Sequence, residues 1–75
     1  MGDFMSIENK LRESRKELRL SQEEVARIFR EKYKQIKVSR QLISTWERGT
    51  TPNLEYALIL SDLYKKTVNE LFRLV

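Results

Sequence analysis

Cysteine and histidine are both absent from the 75 residues. Their absence excludes disulfides, thiolate and imidazole metal sites, a cysteine nucleophile and every histidine-based triad, leaving carboxylates, Lys, Ser and Tyr for any chemistry. With one Pro and two Gly there are few places for turns or strand ends, which predicts an all-α chain of helices joined by short loops. No apolar run approaches ~18 residues, and no basic start precedes an apolar stretch, so the expectation is no membrane span, no signal peptide and a cytoplasmic location. At ~100 to 200 residues per domain the chain is one small domain with little room for both a core and a cleft. That argues against a self-contained metabolic enzyme, and no cofactor, metal or small-molecule ligand is expected.

What is present is a chain 40% hydrophobic and 35% charged, a balance typical of a globular protein rather than a disordered or membrane one. Residues 1–5 read as a flexible N-terminus and residues 6–75 as the domain. Ile7, Leu11, Ser14 and Leu18 recur at three and four residues and form one narrow stripe, the first helix. Ser21 and Glu24 have capping-box spacing, with Leu20 and Val25 as a hydrophobic staple, so a second helix starts there. Its apolar spacing, through Val25, Ile28, Phe29, Tyr33 and Ile36, predicts that it runs to about Lys34. Ser39 is a second good cap and Gly49 the residue expected just past a helix end, giving a short third helix over residues 40 to 48. Asn53 caps a fourth, whose wide apolar face is Leu54, Ala57, Leu58, Leu60, Leu63 and Tyr64. Thr67 with Glu70 repeats the capping box and opens a fifth short helix ending in Leu71, Phe72, Leu74 and Val75.

On the third helix, Ile43 and Trp46 define an inward side, while Gln41, Ser44, Thr45 and Arg48 fill the opposite one and Arg40 lies at its edge. A face with Arg, Gln, Ser and Thr and no acid can donate and accept along base edges in a major groove; Arg suits guanine and Gln adenine. An ordinary solvated face has the same composition, so the surroundings decide. From Arg27 to Arg48 there are seven basic residues (Arg27, Arg30, Lys32, Lys34, Lys37, Arg40, Arg48) against two acids (Glu31, Glu47). The net of five exceeds the whole chain's +4, so the chain's entire surplus is concentrated there. Such clustering next to a polar helix is the electrostatic footprint of a duplex-binding surface.

These residues carry a resemblance. Leu11 to Leu18 with Arg15, Ser21-Gln22-Glu23-Glu24-Val25-Ala26, the run Val38 to Gly49, Pro52-Asn53-Leu54-Glu55 and Glu70-Leu71-Phe72 resemble, in order and spacing, the helix-turn-helix DNA-binding domain of the phage Cro/C1 repressor type, the XRE family. The resemblance spans nearly all of residues 7 to 72 and implies a five-helix lambda-repressor-like domain that binds double-stranded DNA. It implies that the helix after Ser39 is the recognition helix, with Arg40 and Gln41 leading the base contacts and Ser44 and Thr45 secondary. Gln22 matches the family's phosphate-holding position, at a helix start where free amides and the helix dipole also favour an anion. Ser39, Arg48 and Thr50 fall where further phosphate contacts are usual. Arg15 and Glu47 match a structural ion pair, and Ala26 the small residue where the second and third helices cross.

Two departures stand out. Eight residues, Arg30 to Lys37, replace the usual single Gly between Phe29 and Val38, so the segment joining the second and third helices is extended. As two more helical turns it would lay Arg30, Lys32, Lys34 and Lys37 along the duplex backbone. Lys65 stands where a Gly commonly ends the fourth helix, which asks a non-Gly residue to take a left-handed conformation. The function expected is a transcriptional repressor acting as a homodimer on a two-fold operator, since one helix offers few base contacts and a symmetric pair doubles them about ~34 Å apart. Phe72, Leu74 and Val75 are the expected dimer surface. The alternative is an antitoxin or protein-interaction adaptor of the same fold.

Overall fold

The computed structural model describes residues 7–75; the flexible N-terminus expected over residues 1–5 lies outside the described residues. In chain order the elements are β1 (Ile7–Asn9), α1 (Leu11–Glu17), α2 (Gln22–Glu31), α3 (Arg40–Glu47), α4 (Leu54–Tyr64), α5 (Val68–Leu71) and β2 (Phe72–Leu74). The described residues form five helices, and a small antiparallel sheet is added to the all-α expectation. In it Ile7 faces Leu74, Glu8 faces Arg73 and Asn9 faces Phe72, with a 2.8 Å ion pair between Arg73 and Glu8.

That sheet corrects both ends of the helical reading. The first helix starts at Leu11 rather than Ile7, because Asn9 leaves the strand and its Oδ1 accepts from the Leu11 amide at 3.1 Å. Leu11 and Ser14 of the expected stripe are buried, whereas Ile7 belongs to β1 and Leu18, beyond the helix end, is exposed. At the other end α5 stops at Leu71 and the tail becomes β2 instead of continuing the helix.

Caps set most of the remaining boundaries. Ser21 Oγ accepts from the Glu24 amide at 3.0 Å while the Ser21 amide donates to Glu24 Oε1 at 2.7 Å, and that backbone donor holds the Glu24 carboxyl below its ordinary range. The same reciprocal box joins Thr67 and Glu70 at the start of α5, and Asn53 Oδ1 accepts from the Tyr56 amide at the start of α4. Each box satisfies two amides that a helix start leaves without partners.

The second helix ends at Glu31, not near Lys34. Lys34 is left-handed, with φ 60°, and the Gln35 amide donates back to the Phe29 carbonyl at 2.9 Å, so the chain reverses instead of adding turns. Arg30, expected along the duplex, donates instead to the Val38 carbonyl at 3.0 Å. The loop is tied to α4 as well. Tyr33 donates its hydroxyl to the Asp62 carboxylate and Gln35 donates to Glu55 at 3.4 Å. Burial, then the bond to Asp62, push the Tyr33 phenol up to about 12, and the same bond holds the Asp62 carboxyl below its ordinary range.

Leu11, Val25, Ala26, Phe29, Val38, Ile43, Trp46, Leu60, Tyr64 and Leu71 form one core. Phe29 of α2, Trp46 of α3 and Tyr56 of α4 meet at its centre, with ring centroids 5.2 to 6.0 Å apart. Ala26, fully buried, leaves the space that lets α2 and α3 approach. The face of α4 is narrower than its composition suggests: Ala57, Leu60 and Tyr64 point inward, while Leu54 and Leu58 are exposed.

Lys65, the C-cap of α4, is left-handed at φ 60°, a conformation that costs an L-residue about 1 kcal/mol and glycine little. Lys65→Gly is therefore expected to raise stability by about 0.5 to 1 kcal/mol, after allowing for glycine's extra freedom in the unfolded chain. Urea unfolding checks this, and a loss of stability would show that the lysine side chain outweighs its backbone cost.

Candidate nucleic-acid interface

The short α3 is fixed from three directions. At its start the Ser39 hydroxyl accepts from the Leu42 amide at 3.3 Å. Along its length Ile43 and Trp46 are sunk in the core at 2% and 3% exposure. At its end Gly49 takes φ 126°, a conformation that side-chain-bearing residues rarely adopt. A Cβ there would meet nothing within 4 Å, so glycine is required by the backbone angle and not by crowding.

This anchoring decides what α3 shows to solvent. Arg40 and Gln41 are exposed, Ser44 and Thr45 half-buried and Arg48 exposed. The Thr45 hydroxyl donates to the Gln41 carbonyl at 2.9 Å, which uses its proton within the helix. What Thr45 keeps for a base edge is an acceptor lone pair and a methyl group. There is no acid in the first turn of α3, so a phosphate approaching that end meets no like charge from the helix.

Arg15, Glu47 and Gln22 form a network joining α1, α3 and α2. Arg15 Nε donates to Glu47 Oε2 at 2.6 Å and its terminal nitrogen to Oε1 at 3.1 Å, a two-pronged pair with both side chains largely buried, 11% and 5% exposed. Arg15 also donates to the Leu20 carbonyl at 2.9 Å. The hydrogen bond to Glu47 raises the Arg15 guanidinium further above its ordinary range, so it stays charged. Gln22 Nε2 donates to the same Glu47 Oε1 at 3.0 Å, which fixes the carboxamide at the first turn of α2.

The other expected phosphate-binding residues lie at the two ends of α3. Lys34 and Lys37, both exposed, are on the loop that leads into it, and Thr50, also exposed, follows Gly49. Lys34 sits at the left-handed turn rather than on a helix. The expected dimer residues belong to a different part of the molecule: Phe72 packs partly against the core, while Leu74 and Val75 are exposed.

One residue in this region escaped the sequence reading. Asn9 Nδ2 donates to the Trp46 carbonyl at 3.0 Å while its Oδ1 accepts from the Leu11 amide, so a single carboxamide links the start of α1 to the last turn of α3. Asn9 stands one residue before the N-cap of α1, Lys10, which makes no side-chain capping bond, so no capping spacing marks it in the sequence.

A helix-turn-helix family model matches residues 11–71, from the first residue of α1 to the last of α5. No match is found among curated proteins or among solved structures. The family match covers the buried core helices and the whole of α2, loop and α3. The chain therefore belongs to the Cro/C1-type helix-turn-helix family, the XRE family of DNA-binding regulators.

Proposed function

We propose that this chain is a sequence-specific repressor, acting in the cytoplasm as a homodimer on a two-fold operator, with α3 in the major groove. It is a binding protein and not an enzyme. The observation that carries the reading is the division of α3: Ile43 and Trp46 are buried while Arg40 and Gln41, at the free N-terminal end, are exposed. Arg40 and Gln41 lead base recognition, with Ser44 and Thr45 secondary. Gln22, Ser39, Arg48, Thr50, Lys34 and Lys37 hold phosphates and set register. Leu74 and Val75, with Phe72, are the dimer surface. Selection of bound sites from random duplexes tests this, and the expected outcome is a symmetric motif whose halves are about 34 Å apart. An asymmetric motif removes the dimer, and no enrichment removes sequence recognition.

On the selected site, Arg40→Ala or Gln41→Ala is expected to cost about 1 to 3 kcal/mol of binding while nonspecific affinity stays nearly unchanged. Gel-shift titrations on selected and scrambled duplexes measure both, and retained discrimination in the two variants would take α3 out of the reading role. Lys34→Ala is expected to weaken all sequences equally and to lower the salt slope by about 1.8, because the homodimer loses two phosphate contacts. A wild-type slope would remove the loop from the interface.

A second reading, an antitoxin or adaptor of the same fold, is favoured by the apolar groups that α4 and the loop leave in solvent, Ile36, Leu54 and Leu58. An apolar protein partner would bind with little dependence on salt, whereas duplex binding weakens steeply.

A further inference from the structure

Beside the network that fixes Gln22, a recess of about 350 Å³ opens between three helices, lined by Arg12 and Arg15 of α1, Gln22 of α2, and Ser44, Glu47 and Arg48 around the end of α3. Arg15 is neutralised by its two-pronged bond to Glu47. Arg12 makes no ion pair or hydrogen bond among the described residues, and Arg48 makes only a 3.5 Å contact with Thr45 Oγ1. Two uncompensated guanidiniums on different helices thus converge on one concavity that also holds a hydroxyl and a positioned carboxamide. Like charges brought together in this way repel until an anion lies between them, and guanidiniums match phosphate oxygens in a two-pronged geometry.

We infer that the phosphate held by Gln22 and Arg48 sits in this recess, that Arg12 is a further residue contacting it, and that Ser44 serves this phosphate in place of the secondary base contact proposed above. The inference deepens the DNA-binding reading and rests on it. Arg12 comes from α1, Gln22 opens α2 and Arg48 follows α3, so three separate elements contribute to the recess. Glu47 is a positioning residue here: its carboxylate holds Gln22 in place and offsets the Arg15 charge. The amides that the first turn of α2 leaves free add to the same field. Ser44, half-buried on the recess wall, is withdrawn from the exposed end of α3 where Arg40 and Gln41 stand.

The test measures duplex affinity against salt concentration for the full chain and for Arg12→Ala, Arg12→Lys, Ser44→Ala and Lys16→Ala, on the selected site and on a scrambled duplex. Arg12 is exposed and unbonded among the described residues, so its variants keep the fold, which circular dichroism verifies. The expected results are a salt slope lower by about 1.8 for Arg12→Ala, since each protomer of the dimer loses one phosphate contact, its recovery in Arg12→Lys, and an equal loss on both duplexes. Ser44→Ala should weaken both duplexes alike and leave the preferred sequence unchanged. Lys16, on α1 but outside the recess, controls for net charge. An unchanged slope in Arg12→Ala, or the same drop in Lys16→Ala, overturns the recess as a phosphate site, and a changed base preference in Ser44→Ala overturns its assignment. If the full chain binds neither duplex, the DNA-binding reading itself falls, an outcome distinct from any of these.

Discussion

Glu47→Ala is expected to lower folding stability by about 3 kcal/mol. Its carboxylate takes two hydrogen bonds from Arg15 and one from Gln22, and removing it leaves a largely buried guanidinium without its counter-charge. Breaking one partner of a buried pair typically costs about 3 to 5 kcal/mol; the recess beside the pair admits water, which places this one at the lower end. At about 0.05 to 0.15 kcal/mol per residue a domain of this length has only about 4 to 11 kcal/mol in total, so the variant is brought close to unfolding. Urea unfolding followed by the fluorescence of Trp46, the chain's one tryptophan, reads the change. The double variant Arg15→Met with Glu47→Leu should recover most of the loss, because it removes both charges and fills the space. A loss below about 1 kcal/mol for Glu47→Ala alone would mean that solvent, and not Glu47, satisfies Arg15.

Phe29→Ala is expected to cost about 3 to 5 kcal/mol. The ring is fully buried and touches Tyr33, Trp46 and Tyr56 at centroid distances of 5.6 to 6.2 Å. Its removal leaves a cavity at the meeting point of α2, α3 and α4 that none of the three can close without tilting. Trp46 then loses one of its two aromatic partners and keeps Tyr56, so the fluorescence should move to longer wavelength even where the chain remains folded. Phe29→Leu, which retains most of the volume, should cost clearly less. Equal losses for the two variants would place the stabilisation in ring contacts rather than in volume.

The burial of Phe29 was legible in the sequence because inward spacing is a local signal, as helix caps are, whereas the pairing of Glu47 with Arg15 came from the family resemblance. Ser21 with Glu24, Thr67 with Glu70, Ser39 and Asn53 each mark a helix start within three residues of chain, and all four starts are where the spacing puts them. The division of α3 into buried Ile43 and Trp46 and exposed Arg40 and Gln41 follows from the same arithmetic. What was not legible depends on distant pairing. Ile7 faces Leu74 across most of the chain, and three residues of strand are too few to show a two-residue period. Nor could spacing reveal that Lys34 turns left-handed, since no glycine announces the stop. Leu54 and Leu58 look like core residues on a helical wheel and are exposed because no further element covers that side of α4 among the described residues. Arg12 was invisible as a contact for the same reason: its partners in the recess come from two other helices.

The segment between α2 and α3 shows what an inserted stretch becomes once it is fastened. A slack surface connection tolerates lengthening cheaply, at about 0.6 kcal/mol for each doubling. This one is bolted to α4 through Tyr33 and Gln35 and to the end of α2 through Arg30, so it works as a strut. Its length is dictated by the span it bridges, and adding or deleting a residue there would swing the entry of α3 as a crank turns a shaft.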